Sequence, residues 1–205
     1  MGTSTVTGID SVIIESDDAA STQRFVDEAL GLGDIVKVRA SDEPTAGFRG
    51  FSLSLVFEQP ADVDRVAAAA LAGGATQVKP VAKSFWGYGG SVRAPDGTVW
   101  TLASSSKKNT AEVTGRVAQV VLLLGVSDVR VTKAFYDGAG LAIGRSFGSK
   151  YVEFDTPGAA VTLALQSRRA VAKNAGVDAD GTGSHRLRIS GGLGRLTDPD
   201  GFTWE

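Results

Sequence analysis

Pro95-Asp96-Gly97-Thr98-Val99-Trp100-Thr101 returns near the end of the chain as Pro199-Asp200-Gly201-Phe202-Thr203-Trp204-Glu205, with Pro, Asp, Gly and Trp in register. Pro-Asp-Gly supplies the backbone angles of a tight turn, so each copy predicts a hairpin that ends in an aromatic strand. The correspondence continues upstream. Gly8-Ile9-Asp10-Ser11-Val12-Ile13-Ile14 is echoed by Gly115-Arg116-Val117-Ala118-Gln119-Val120-Val121, and Phe25-Val26-Asp27-Glu28-Ala29 by Phe135-Tyr136-Asp137-Gly138-Ala139. A duplication of this length sets the architecture before any single residue is interpreted. It also gives an internal control, because a residue that carries chemistry can survive in one copy alone.

Around these anchors the hydrophobic pattern predicts the remaining elements. Ile9–Ser16 alternates and is rich in Val and Ile, as a strand requires, and Asp17 or Asp18 offers an N-cap for a helix that Gly31-Leu32-Gly33 stops after Leu30. Strands are expected at 35–39 and 51–57, and a helix over 64–72, opened by Pro60 and Asp62 and closed by Gly73-Gly74. An extended piece, 76–81, leads through Phe85-Trp86-Gly87-Tyr88-Gly89-Gly90 into the first hairpin. After a polar stretch, 104–114, the order restarts with a strand at 117–124 and a helix at 129–139. Strands follow at 143–147, 151–154 and 161–165, then a short helix at 167–175, an alternating strand at 185–190 and the second hairpin. Strand, helix and several strands, twice over, imply an α+β protein with curved, mostly antiparallel sheets. The repeat divides the chain into unit 1 (1–105), a linker (106–115) and unit 2 (116–205).

Composition narrows the function classes. The chain has 205 residues, 42% hydrophobic and 21% charged, with a formal net charge of -2, which argues against general nucleic-acid binding. The first half is acidic on balance and the second basic, a bias that suits either an anionic ligand or a solvated basic face. The absence of cysteine excludes disulfides, thiolate metal sites and cysteine nucleophiles. The N-terminal residues lack the basic and apolar regions of a secretory signal, and the longest apolar run, 117–126, is too short to span a bilayer. No membrane association is expected, and the cytoplasm is the expected location. Gly191-Gly192-Leu193-Gly194 lacks the helix and the Lys-Ser/Thr pair of a phosphate loop, and no nucleophile-elbow sequence accompanies His185.

A first strand, a helix ending near Phe25 to Leu32 or Phe135 to Leu141, and a closing hairpin at Trp86 to Thr101 or Thr197 to Glu205 together resemble the vicinal oxygen chelate superfamily. This is the superfamily of glyoxalase, bleomycin-resistance proteins and extradiol dioxygenases. The resemblance covers most of the chain and implies two tandem glyoxalase-like units built from βαβββ-type modules. Each unit is shortened, the first lacking strands after Arg39 and the second the helix due after Ser190. The resemblance further implies a small oxygenated molecule bound in a concave sheet, with lyase or isomerase chemistry assisted by a divalent ion (Zn, Ni, Mn or Fe), and an assembly that can be a homodimer. Carried over position by position, the family's metal ligands fall on Gln119, His185 and Glu205 in unit 2, with Glu205 also the catalytic base. In unit 1 they fall on Ser11, Phe51 and Thr101, which cannot bind a metal. Unit 2 is therefore where chemistry is expected.

Other residues carry two readings each. Trp86 and Tyr88 suit the rim of a ligand cavity, or else Trp86 packs the hairpin while the glycines permit a bend. Arg168, Arg169 and Lys173, with Tyr151 on a neighbouring strand, could receive a carboxylate or phosphate, or form a solvated face. The function classes are then a metal-assisted enzyme, a metal-free protein that sequesters an antibiotic-like molecule, and a structural scaffold without chemistry.

Overall fold

A computed structural model describes residues 8–85 and 87–205. The first strand, β1 (Ile9–Ser16), leads to α1 (Ala19–Arg24), whose N-cap is Asp18, accepting from the Ser21 amide at 2.9 Å. The helix runs on as a π-helical stretch, Phe25–Leu30, and stops at Gly31, in the left-handed conformation with φ of 66°. The strands β2 (Val36–Ala40) and β3 (Thr45–Gly47) complete this segment. The next segment is a whole βαβββ module: β4 (Phe51–Val56), α2 (Pro60–Ala72), β5 (Thr76–Ser84), β6 (Gly87–Arg93) and β7 (Val99–Ser104). A second whole module follows: β8 (Gln119–Val126), α3 (Val129–Gly138), β9 (Ala142–Ser146), β10 (Val152–Asp155) and β11 (Thr162–Ser167). The chain ends with α4 (Arg168–Ala175), β12 (Gly181–Gly183), β13 (Leu187–Gly191), β14 (Leu196–Thr197) and β15 (Thr203–Trp204).

The two whole modules share one eight-stranded sheet in the order β5-β6-β7-β4-β8-β11-β10-β9. At its centre β4 and β8 pair antiparallel, and each is flanked by the parallel closing strand of its own module, β7 or β11. The five-stranded sheet, β14-β15-β13-β1-β2, repeats this plan with fewer parts. Its central pair, β1 and β13, is again antiparallel, with parallel neighbours β2 and β15. After β2 the first segment adds only the three-residue β3, paired with β12, and no helix stands between β13 and β14. These are the two shortenings read from the sequence. Both large sheets combine strands from the two halves of the chain.

One main core joins the sheets. Val12, Ile14 and Val36 of the smaller sheet, Leu53, Leu55, Leu122 and Leu124 of the larger, and Phe25, Val63 and Tyr136 of the helices belong to the same buried cluster. Period-two alternation therefore directs one face of each sheet inward and leaves Ser52, Ser54, Thr101, Leu123 and, on the smaller sheet, Ile13 and Glu15 on the other. The stretch expected as a linker, 106–115, is held by buried polar side chains. The buried Gln59 amide donates to the carbonyls of Ala111 and Glu112 and accepts from the amides of Thr110 and Ala111, while Asp62 accepts from the amides of Thr114 and Gly115. Burial alone would raise the Asp62 carboxyl, but these hydrogen bonds outweigh it and hold the group below the ordinary carboxylate range.

Candidate ligand clefts on the outer sheet faces

The outer face of the eight-stranded sheet carries a row of small polar side chains. Ser91 lies beside Thr101, Thr101 beside Ser54, Ser54 beside Val121, and Val121 beside Thr162. Helix α4 crosses this face. Its Val171, Ala172 and Ala175 form a second apolar cluster with Val99 and Phe48, against which Leu123 packs. Ser167 caps its N-terminus, and near its C-terminus Ser91 Oγ donates to the Ala175 carbonyl at 2.5 Å and Lys79 Nζ to that of Asn174 at 3.1 Å. Gly125 on β8 makes the approach possible, because a Cβ there would stand 2.9 Å from the Cα of Arg168.

Two clefts open on this face, and Asn174 of the helix lines the first. One, of about 490 Å³, has Ser52, Ser54, Thr101 and Leu123 at its floor and Lys79 and Lys83 among its lining residues. The other, of about 390 Å³, is lined by Gln119, Arg145, Glu153 and Thr162. In the first, Ser52 is 1% exposed and its hydroxyl has no hydrogen-bond partner among the described residues. A buried hydroxyl left unpaired costs about 1–3 kcal/mol, so a position that retains one beside a cleft is suited to a polar ligand. The glycine-rich approach strand shapes the same cleft. A Cβ on Gly90 would lie 2.7 Å from the Lys79 carbonyl and 2.9 Å from the Val81 nitrogen, so glycine lets β6 pass close under the bulged β5.

The three residues expected to hold a metal have separate partners. His185 lies outside β13, ahead of Arg186, whose φ of 48° breaks the strand expected at 185–190. Its Nδ1 meets the Arg49 carbonyl at 2.5 Å, its Nε2 the Asp200 carbonyl at 3.0 Å, and its ring stacks on Phe202 at 3.9 Å. With a carbonyl oxygen facing each ring nitrogen, neither nitrogen is directed at an ion. Gln119 donates to Thr162 Oγ1 at 2.9 Å on the eight-stranded sheet, whereas Glu205 forms a two-point ion pair with Arg39 on the five-stranded one, at 2.6 and 3.1 Å. The Arg39 guanidinium holds the Glu205 carboxyl below the ordinary carboxylate range. Among the described residues no three His, Asp or Glu side chains converge on a metal position. The expected set of Gln119, His185 and Glu205 does not fit a divalent ion. The unit 1 positions are separate as well: Thr101 stands beside Ser54, and Phe51 pairs with Leu124.

The other expected ligand residues divide. Trp86 lies outside the described residues. Tyr88 lines the larger cleft, but its hydroxyl donates to Asp64 on α2 at 2.7 Å. Tyr151 donates to Glu153 at 2.7 Å, and burial, together with this carboxylate, raises its phenol above the ordinary value. Arg168 is a clamp: it donates to the Ala179 carbonyl at 2.9 Å and to that of Phe48, and its guanidinium covers the Phe48 ring at 5.3 Å. Only Arg169 and Lys173 keep an exposed common face, on a shallow groove that also contains Asp178 and Asp180.

The arrangement of paired modules is shared with solved structures. Glyoxalase I from Zea mays aligns over 96% of this chain and 90% of its own, with a TM-score of 0.60 at 14% identity. The chain has the glyoxalase fold. A putative dioxygenase from Bacillus subtilis has the same fold, with a TM-score of 0.58 at 13% identity over 97% of this chain and 73% of its own. No family model and no curated protein matches the sequence. Within the glyoxalase fold, the floor residues Ser52 and Ser54 escape a reading of the sequence because serine alternating with leucine fits an ordinary solvent face equally well. The signal that could have found them is the run Phe51-Ser-Leu-Ser-Leu-Val-Phe57, whose polar positions are all small.

Proposed function

We propose that this protein is a metal-independent binder of a small oxygenated organic molecule, held in the cleft between α4 and the β5–β6 hairpin. The observation that carries this reading is the buried, unpaired Ser52 hydroxyl at the cleft floor, flanked by Ser54 and Thr101. Lys83 also lines the cleft; its side chain has no hydrogen bond or ion pair among the described residues and supplies a cation at the wall. A hydroxyl floor and an ammonium group together favour a hydroxy- or oxo-carboxylate over an apolar ligand. The departure of Gln119, His185 and Glu205 from a ligand set supports binding without a metal over the metal-assisted reading.

The test is an NMR titration of the full chain with glycolate, lactate and pyruvate in the presence of a chelator. Saturable shifts at the amides of Ser52, Ser54 and Thr101 are expected for at least one of the three. Their absence for all three, or their appearance only after a divalent metal is added, would reject the proposal.

A further inference from the structure

The outer face of the five-stranded sheet presents a different chemistry. Thr197 lies opposite Thr203, Thr203 beside Arg188, and Arg188 opposite Ile13, so two hydroxyls and a guanidinium stand in one row. Arg39 belongs to the same face through its pairing with Glu15. Arg39, Arg188, Thr197 and Thr203, with Arg195 and Glu205, line a cleft of about 470 Å³. Arg188 is tied from one side by Glu15, Nε to Oε1 at 3.0 Å, and lies 3.9 Å from Glu43. Arg195, Thr197 and Thr203 have no side-chain hydrogen bond or ion pair among the described residues.

Glu205 occupies the Arg39 fork in the geometry that a free carboxylate adopts on a guanidinium. The pair is exposed, with 48% of the Arg39 side chain and 32% of the Glu205 side chain open to solvent. Such a pair holds weakly, and an incoming carboxylate can replace it like for like. We infer that this cleft binds a small dicarboxylate: one carboxylate displaces Glu205 from Arg39, and the other is received by Arg195 and the hydroxyls of Thr197 and Thr203. Glu205 is then the internal occupant of an organic-acid site rather than a metal ligand or base. The inference is independent of the cleft beside α4, which lies on the other sheet.

The test uses succinate, with butyrate as the monocarboxylate of equal length, at fixed ionic strength. Three forms of the full chain are compared, wild type, Glu205→Ala and Arg195→Gln, each first confirmed folded by thermal melting. Succinate is expected to shift the amides of Arg195, Thr197 and Thr203 and to leave Ser52 unchanged. Glu205→Ala should bind it about tenfold more tightly, and Arg195→Gln and the butyrate complex should each be about tenfold weaker, the scale of one charge-assisted hydrogen bond. Three results would each overturn the inference: equal affinity in Glu205→Ala and wild type, equal affinity for succinate and butyrate, or no binding by any form. Shifts confined to Ser52 and Thr101 would do the same, by assigning succinate to the other cleft.

Discussion

The two copies of the Pro-Asp-Gly hairpin keep the same turn and hold it by different means. In the first, Asp96 is gripped by a buried cation: Arg49 Nη1 lies 3.0 Å from its carboxylate, a second guanidinium nitrogen reaches its carbonyl, and the two side chains are 7% and 1% exposed. In the second, Asp200 accepts from the Ser127 amide at 2.7 Å and from Thr132 Oγ1 at 2.8 Å, with no cation paired to it among the described residues. The tryptophans differ in the same way. Trp204 donates to Tyr136 at 3.2 Å, and Tyr136 donates to Asp198 at 2.9 Å, whereas the Trp100 indole nitrogen has no partner among the described residues. The position of Tyr136 is Val26 in the first copy, and that of Asp198 is Ala94. A duplicated motif can thus conserve a shape while its polar support is rebuilt, so a residue unique to one copy need not be chemical. His185, which bridges Arg49 of one half and the second hairpin, is such a residue.

The largest effect that separates the copies should come from their aspartate clamps. Arg49→Ala strands a buried carboxylate and is expected to cost about 3–5 kcal/mol in urea unfolding. Asp200→Ala, which removes hydrogen bonds without stranding a charge, should cost about 1–3 kcal/mol, and equal losses would erase the contrast. Next is Tyr136→Phe, which leaves Asp198 and Trp204 each short of a partner and should also cost about 1–3 kcal/mol, with no counterpart at Val26.

The Asp198 carboxyl gives the second copy a pH signature. Burial lifts it above its ordinary value of 3.8, although hydrogen bonds from Phe202, Tyr136 and Asp200 pull the other way. Between the unfolded and the raised folded value the native state holds the extra proton. This group's contribution to stability therefore falls as pH rises through that interval and is constant above it. Asp198→Asn should flatten that part of the stability profile, and an unchanged profile would show that the group is not perturbed. The smallest effect is expected at Ser52. Ser52→Ala removes an unpaired buried hydroxyl and should raise stability by up to about 1 kcal/mol while weakening hydroxy-acid binding, whereas a loss of stability would mean that the hydroxyl is already satisfied.

Much of the fold was legible in the sequence because it rests on local signals. Period-two runs gave β1 and β4, Asp18 the start of α1, and Pro60 the start of α2, and the missing strands after Arg39 and missing helix after Ser190 were countable against the repeat. The site was less legible, since it depends on contacts between segments far apart in the chain. Nothing local announces that α4 lies across the outer face of the eight-stranded sheet, that Arg168 turns back onto Phe48, or that Arg39 reaches Glu205. The alternation at 185–190 predicts a strand that includes His185. The left-handed Arg186 ends that strand early, and both imidazole nitrogens turn to carbonyl oxygens instead of an open face.

We propose that binding belongs to the hydroxyl-floored cleft and needs no metal. It is tested most directly by measuring hydroxy-acid affinity, with lactate as the probe, for wild type and Ser52→Ala, each with a chelator and with added Zn²⁺ or Mn²⁺. The wild type is expected to bind with the same affinity with and without metal, and Ser52→Ala about tenfold more weakly under both conditions. Binding that requires the ion, or that is indifferent to Ser52, would contradict the proposal.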